Sequence, residues 1–397
     1  MTNVSRTQEW VYLDNNATTR MDARVVEAML PLFRHNFANP SSTHPLGAAA
    51  AEAVRAARHQ IRSLIGAASE KEIVFTSGGS ESDTTAIFSA IETQTGRDEI
   101  VTSTVEHPAV LSACAHLERM GRAKVHRIPV DQNGNLDIDA YGRALTSRTA
   151  LASIQWANNE TGVIFPIEML AEMARQAGAL FHSDAVQAAG KIAIDVQSAG
   201  VDLLTISAHK IHGPKGVGAL YVRNGVGIAP LVHGGRQERG RRAGTENSAA
   251  IVGFGIAAEL AAQAMPTGTL RIALMRKRLE QEILRLIPGS MLVGGESSRL
   301  PNTSNIAFED AEADAILLLL ERSLIAASSG SACSAGSMEP SHVLRAMKVP
   351  FSHLRGAIRF SFSRENVEGD VDRVLNVIPH IADELQVHRE SLEPAYD

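Results

Sequence analysis

The chain has 397 residues, 44% of them hydrophobic, and this length predicts two or three globular domains. A formal net charge of −6 argues against a nucleic-acid-binding protein, which normally carries a clustered Lys/Arg surface. Two cysteines exclude a disulfide scaffold, and the longest apolar run (315–320) is too short to cross a membrane. The first residues lack the apolar core of a signal peptide, so we expect a cytoplasmic protein.

Helical patterns at 21–33 and 47–66 follow a short extended segment at 11–14. Short β-branched runs then mostly alternate with helix-period segments, which predicts a largely parallel sheet covered by helices on both faces. These strand patterns lie at 72–77, 99–103, 124–130, 150–156, 179–185, 203–209 and 218–223. From about residue 265, a long amphipathic helix, shorter elements and a helical C-terminal segment indicate a smaller domain. We expect a large α/β domain over 14–262 and a small α+β domain over 1–13 plus 263–397.

Polar residues follow five of the predicted strands at the point where each strand ends. Because ligands of parallel sheets bind at the carboxyl ends of the strands, we expect these residues to form one site. They are residues 77–80, Glu106 and His107, Asn158 and Asn159, Asp184, and His209 with Lys210.

Each of these groups has an ordinary structural interpretation as well as a chemical one. Lys210, in SAHKIHGPKG, is either a plain strand-end lysine or a desolvated amine that reacts with carbonyl compounds such as pyridoxal phosphate. Asp184 suits a helix N-cap or the partner of a protonated pyridine nitrogen. The turn TSGGSES (76–82) suits a helix start or a phosphate site. His107 is either a structural histidine or an acid/base lying over a ring.

A metal site is the other interpretation of the histidines. His209 and His212 in HKIH have a spacing seen in zinc sites, but no cysteine or carboxylate pair completes a ligand set, so we expect no isolated metal site.

Taken together, a phosphate-type turn, a histidine, an asparagine, an aspartate and a lysine at successive strand ends describe a pyridoxal phosphate site of the aspartate-aminotransferase type. The chain resembles the cysteine desulfurases over nearly its whole length, and its GGRQERGRRAGTEN and GSMEPSHVLRAM segments are most similar to the nitrogen-fixation (NifS-type) branch. The resemblance implies the α/β fold of the fold-type-I pyridoxal-phosphate-dependent transferases. It rests on YLDNNATT, NPSSTH, FTSGGSESD, EHPAV, NNETG, HSDAVQ, SAHKIHGPKGVGALY, RAGTEN, SSGSACSAGSMEPSHVLRA and AIRFSFSR.

The resemblance also implies roles for individual residues. Lys210 would form the Schiff base with the cofactor, Asp184 would pair with the ring nitrogen, and His107 would stack on the ring as acid/base. Arg359 would hold the substrate carboxylate, with Asn159 near both substrate and cofactor. The other implied cofactor contacts are Gln187 at the phenolic oxygen, Gly79, Ser80, Ser207 and His209 at the phosphate, and Thr245, which the second subunit of a homodimer would supply to the phosphate.

Cys333 stands in SSGSACSAGS (328–337), a segment without bulky side chains to bury a thiol. The resemblance implies that Cys333 attacks the sulfur of L-cysteine, releases L-alanine and carries a persulfide. Glycine, serine and alanine would give this segment of the small domain the reach to hand the sulfur to an iron–sulfur scaffold protein, here for nitrogenase. Cys333 would touch metal only as a transient cluster ligand. Cys114 lies among apolar helix residues, and we expect it in the core.

Two alternatives remain. Another fold-type-I enzyme, an aminotransferase or a selenocysteine lyase, would share the site, and an aminotransferase would not need the thiol. A non-catalytic scaffold in sulfur trafficking would share the fold without binding the cofactor.

Overall fold

The computed structural model describes residues 10–329 and 340–392. Its strands form one large sheet and two small ones. The described strands are β1 (Val11–Tyr12), β2 (Ile73–Thr76), β3 (Glu99–Ser103), β4 (Lys124–Ile128), β5 (Thr149–Ser153), β6 (Leu180–Asp184), β7 (Leu203–Ser207), β8 (Gly218–Val222), β9 (Met291–Leu292), β10 (Thr303–Ala307), β11 (Ile325–Ala326) and β12 (Ala357–Ser361).

The described helices lie between these strands and at both ends of the chain. They are α1 (Ala23–Arg34), α2 (Pro45–Leu64), α3 (Gly79–Thr93), α4 (Pro108–Arg119), α5 (Ile138–Ala144), α6 (Ile167–Gln176), α7 (Ser248–Leu286), α8 (Ala313–Arg322), α9 (His342–Ala346), α10 (Phe351–Leu354) and α11 (Glu368–Leu392).

The large sheet has seven strands in the order β2-β8-β7-β6-β5-β3-β4. Four of its six pairings, from the edge strand β4 through β3, β5 and β6 to β7, are parallel, whereas β8 runs antiparallel to both β7 and β2. The predicted largely parallel sheet is therefore confirmed. Because β2 and the parallel strands all run the same way, their carboxyl ends meet at one edge.

Helices cover both faces of this sheet. Successive strand residues point to opposite faces, so Leu203 packs into the core under α3 and α4, while Leu204 packs into the larger core that includes α2, α6 and the first half of α7. Cys114 is fully buried in the α3–α4 core, as predicted, and burial raises the pKa of its thiol to about 12.

A third apolar core surrounds the small sheets. It contains Val11 of β1, Leu13 just after that strand, and the second half of α7 from Met275 onward. Here β10 pairs antiparallel with β9 and β12, and β1 pairs parallel with β11. The expected domain boundary at 262/263 falls within α7, so the proposed division of the chain stays a prediction.

The helix α7 is longer than the sequence pattern suggested. It begins at Ser248, where the side chain of Asn247 accepts a hydrogen bond from Ala250 N, and continues through Pro266. Within the described residues it is the one helix long and apolar enough to span a membrane by length and composition. Half of that apolar stretch is buried in the protein, and core helices meet the same criterion.

Candidate functional site

A cavity of about 300 Å³ opens at the shared carboxyl edge of the large sheet. Nine of the residues predicted for the site line it, and they come from the ends of β2, β3, β5, β6 and β7. These are Gly79, Ser80, His107, Asn159, Asp184, Gln187, Ser207, His209 and Lys210; the other lining residues are Ala17, Asp83, Gln155, Ala157 and Val186.

The turn after β2 forms one end of the cavity. Gly79 and Ser80 begin α3, where free backbone N–H groups and the helix dipole favour an anion such as phosphate. A Cβ on Gly79 would lie 3.1 Å from Cγ2 of Val186, another cavity residue, so glycine keeps this part of the cavity open. The turn is held from behind by Glu81, which accepts hydrogen bonds from Ser77 N at 2.8 Å and from Nε of Arg242 at 2.9 Å. This end of the cavity fits a phosphate group.

Asp184 provides a buried acid at the end of β6. Its Oδ1 accepts a hydrogen bond from Val186 N at 2.9 Å, so it caps a turn rather than the helix considered for it, and the residue also lines the cavity. Burial raises the pKa of Asp184, and the charges of His107 and Lys210 oppose that rise. A buried carboxyl group facing basic neighbours is suited to hold a protonated ring nitrogen.

Lys210 lies in a short 3₁₀ turn that follows β7 directly. Its Nζ donates to the backbone oxygen of Asn16 at 2.5 Å and to that of Ala17 at 2.8 Å. The amine therefore stands at the wall between the sheet edge and the N-terminal segment, in the cavity that Asp184 also lines.

His107 caps α4, with Nδ1 accepting a hydrogen bond from Ala109 N at 3.1 Å. Burial is the main cause that lowers the pKa of His107, and the nearby Asp184 opposes it. Because Nδ1 accepts, the proton of the neutral ring lies on Nε2. His107 thus presents a neutral imidazole to the cavity.

Two buried carboxylic acids were missed or left without a role in the sequence interpretation. Asp83 lies one turn after Gly79 on α3 and lines the cavity, and burial together with the charge of Asp184 raises its pKa well above the ordinary value. Glu106 accepts hydrogen bonds from Ser103 Oγ at 2.6 Å and from Gln155 N, and burial raises its pKa to about 8. Asp83 could have been predicted from its spacing, because a residue four positions after Gly79 lies on the same face of a helix.

Arg359 lies behind the cavity rather than in its lining. Its guanidinium donates to Asp14 Oδ1 at 2.7 Å and to the backbone oxygen of Asn159 at 3.2 Å, and the side chain is 2% exposed. Asn159 itself lines the cavity, so one residue separates Arg359 from it. The sequence analysis assigned the guanidinium of Arg359 to the substrate carboxylate, but one of its N–H groups is bonded to Asp14.

Thr245 and Cys333 stand apart from the nine residues. Thr245 lines a separate cavity of about 220 Å³ with Ser77 and Arg242, and it is not among the residues that line the 300 Å³ cavity. Cys333 lies in 330–339, outside the described residues. The predicted roles of both therefore remain predictions.

Comparisons with known proteins agree with this geometry. The aminotransferase class-V family matches residues 11–374 of the chain. A cysteine desulfurase of Gluconacetobacter diazotrophicus is 59% identical over 376 residues, which cover 95% of this chain and 94% of that protein. The cysteine desulfurase NifS of Azotobacter vinelandii is 51% identical over 376 residues, 95% of this chain and 93% of its own length.

The solved structure of a NifS-like protein is 36% identical, with a TM-score of 0.88 over 94% of this chain and all of that chain. Both the predicted fold type and the predicted resemblance are confirmed. Enzymes of this family depend on pyridoxal phosphate. The chain belongs to the class-V aminotransferase family and, within it, to the cysteine desulfurases.

Proposed function

We propose that the chain converts L-cysteine to L-alanine and transfers the sulfur to Cys333 as a persulfide, with pyridoxal phosphate bound in the cavity at the carboxyl edge of the sheet. The observation that carries this proposal is the convergence of nine predicted residues on one cavity. In the reaction the substrate C–S bond breaks and an S–S bond to Cys333 forms. The α carbon loses a proton and regains one before L-alanine leaves, and the β carbon gains a proton that balances the one lost from the Cys333 thiol.

The residues of the cavity suit the parts of the cofactor. The phosphate would lie at the start of α3 with Gly79 and Ser80, near Ser207 and His209. The ring nitrogen would face Asp184, and the phenolic oxygen would face the amide of Gln187. Pyridoxal phosphate supplies an electron sink for the charge that develops at the substrate α carbon.

Proton transfer is the task of the cavity's basic groups. The amine of Lys210 lies in the wall of the cavity that Asp184 also lines, and it would remove the α proton of the substrate. The neutral His107 carries its proton on Nε2 and exchanges it with the substrate. Asn159 would orient the substrate carboxylate from the cavity wall, and Arg359, whose guanidinium is bonded to Asp14 and to the backbone oxygen of Asn159, would support it from behind.

Cys333 enters the proposal through the sequence motif alone, because its segment lies outside the described residues. The persulfide would pass to an iron–sulfur scaffold protein in the cytoplasm. A role in supplying nitrogenase is supported by the similarity to the Azotobacter vinelandii NifS protein.

We further propose a homodimer. The outer face of α1 and the chain just after it carry exposed apolar side chains: Val26 is 40%, Phe33 64%, Phe37 71% and Leu46 54% exposed, whereas the other face of α1 packs against α7. A partner subunit would cover such side chains and would bring its Thr245 to the phosphate. Light scattering after size exclusion measures the dimer mass directly.

The experiment for the reaction compares the purified protein with its Lys210→Ala variant. The wild type should absorb in the visible range and form one alanine per sulfur released from L-cysteine in the presence of a thiol reductant. The variant should bind pyridoxal phosphate without forming alanine. A wild-type protein that forms pyruvate or transaminates, with no alanine from cysteine, would overturn the proposal in favour of another reaction on this fold.

A further inference from the structure

A hydrogen-bond network centred on the buried Asn16 lies behind the wall of the cavity. Asn16 is 1% exposed, and its Nδ2 donates to the backbone oxygen of Asn159 at 3.0 Å and to Thr303 Oγ1 at 2.8 Å. Its backbone oxygen accepts from Lys210 Nζ and from Gln187 Nε2, at 2.5 Å and 3.0 Å. Asn16 thus links the reactive lysine, the expected partner of the phenolic oxygen and the substrate side of the cavity.

Lys191 contributes an amine to this network, and the proposed reaction gives it no task. Its Nζ donates to Gln187 Oε1 at 2.7 Å and to Asn16 Oδ1 at 2.9 Å. Burial and the charges of Lys210 and Arg359 lower the pKa of Lys191 well below its ordinary value. Placing a desolvated lysine beside another lysine lowers the stability of the fold, and groups with strongly shifted pKa values are commonly found at functional sites.

The chemistry of the donors fixes the orientation of the Gln187 amide. An amine carries enough N–H groups to donate to both side-chain oxygens, whether it is protonated or neutral. Asn16 Nδ2 faces a backbone oxygen, which only accepts, so Asn16 must turn Oδ1 toward Lys191. Gln187 likewise turns Oε1 to Lys191 and Nε2 to the backbone oxygen of Asn16.

We propose that Lys191 is a positioning residue that holds the oxygen of the Gln187 amide, so that the second N–H of Nε2 is left to donate to the phenolic oxygen of the cofactor. This inference rests on the proposed function. Without Lys191 the amide keeps only its bond to the backbone oxygen of Asn16, so it is held less firmly, and an oxygen that turned toward the phenolic oxygen would repel it. A fixed N–H donor favours the deprotonated phenolic oxygen, and any positive charge that Lys191 carries acts in the same direction.

The test uses the cofactor-loaded protein, three single variants and one double variant. Lys191→Met removes the donor and the charge, and its side chain is close in size and apolar, suited to the small cavity of about 60 Å³ that Lys191 shares with Ala261 and Met265. Lys191→Arg retains N–H donors and charge as the conservative control. Gln187→Ala removes the amide itself.

Two quantities are measured besides turnover: the pH midpoint of the visible absorption band and the dissociation constant for pyridoxal phosphate. In Lys191→Met the midpoint should rise by about one pH unit and the affinity should fall about tenfold, which corresponds to the loss of one hydrogen bond. Lys191→Arg should remain near the wild type. Adding Lys191→Met to Gln187→Ala should change the affinity by less than about twofold, because residues that act through one another are not additive.

A wild-type midpoint and affinity in Lys191→Met would overturn the inference, and so would an unchanged effect of Lys191→Met in the Gln187→Ala background. If Lys191→Met does not fold, Gln187→Glu carries the test. It places an oxygen at both ends of the side chain, so its midpoint must rise too, and an unshifted midpoint refutes the orientation argument. A wild-type protein that binds no pyridoxal phosphate would instead refute the proposed function.

Discussion

Asp83 and Asp184 are two buried carboxylic acids of the same cavity, and replacement by asparagine should affect them in opposite ways. Asp83 is 1% exposed, and its Oδ1 has no hydrogen-bond partner among the described residues. The nearest basic group, His182 Nε2, lies 3.6 Å away, but burial lowers the pKa of His182 to about 3 and leaves it neutral at pH 7. Without a charged partner among the described residues and with its pKa raised, Asp83 favours the protonated form, so Asp83→Asn replaces a carboxylic acid with a neutral side chain of the same size.

The size of the effect follows from the pKa of Asp83. Burial and the charge of Asp184 raise it in the folded state, so the folded protein binds this proton more tightly than the unfolded chain does. The resulting stability is fully present below the unfolded pKa of about 3.9 and is lost, by about 1.4 kcal/mol per pH unit, as the pH rises toward the folded pKa. Asparagine does not titrate. The free energy of unfolding of Asp83→Asn, relative to wild type, should therefore rise by about 1.4 kcal/mol per pH unit between about pH 4.5 and 6.

The assay is urea unfolding of the cofactor-loaded proteins at three pH values in that range, with turnover and the visible band measured at pH 7. Asp83→Asn should keep the band and most of the turnover. Asp184→Asn removes the charged partner of the ring nitrogen and should lower turnover at least about tenfold, or 1.4 kcal/mol of barrier. Parallel stability profiles for wild type and Asp83→Asn, or equal loss of turnover in both variants, would refute the reasoning.

Two further substitutions test the packing of the site and its support. Gly79→Ala should weaken pyridoxal phosphate binding about tenfold, because the new Cβ would lie 3.1 Å from a cavity side chain. Gly78→Ala is the control, since its Cβ would meet nothing within 4 Å and the affinity should not change. Equal affinities in the two variants would contradict this prediction. Arg58→Ala leaves the buried Glu238 without its two 2.7 Å bonds and should cost about 3–5 kcal/mol of unfolding free energy. Arg55→Ala, on the exposed side of the same helix, should cost less than about 1 kcal/mol, and similar losses in both variants would show that burial is not the cause.

The sheet and the cavity could be predicted because their signals are local. Each predicted strand ended within a few residues of the observed strand. A polar residue at or just after its end marked the sheet edge, as with Asp184 at the end of β6 and Lys210 after β7. The carboxyl ends of parallel strands all lie at one edge of the sheet, so correctly predicted strands also gave the position of the cavity. The first half of α7 lacked such a signal, because its alanine-rich residues are buried on several sides and show no amphipathic pattern.

Contacts between distant parts of the chain could not be predicted in this way. Asp14 pairs with Arg359 across 345 residues, and nothing near either residue indicates the other. Asn16 was part of a recognised motif, but its role as the centre of a network depends on Lys191 and Gln187, which face it only after the sheet has formed. Asp83 resembled any polar residue of an early helical turn until its burial was known.

The most direct test of the proposed sulfur transfer is alanine formation from L-cysteine, with a thiol reductant present, by the wild type and by Cys333→Ala. The predicted result is that turnover collapses in Cys333→Ala while the visible absorption of the bound cofactor is retained. Turnover that persists in Cys333→Ala, with the same product, would contradict the assignment of Cys333 as the sulfur acceptor.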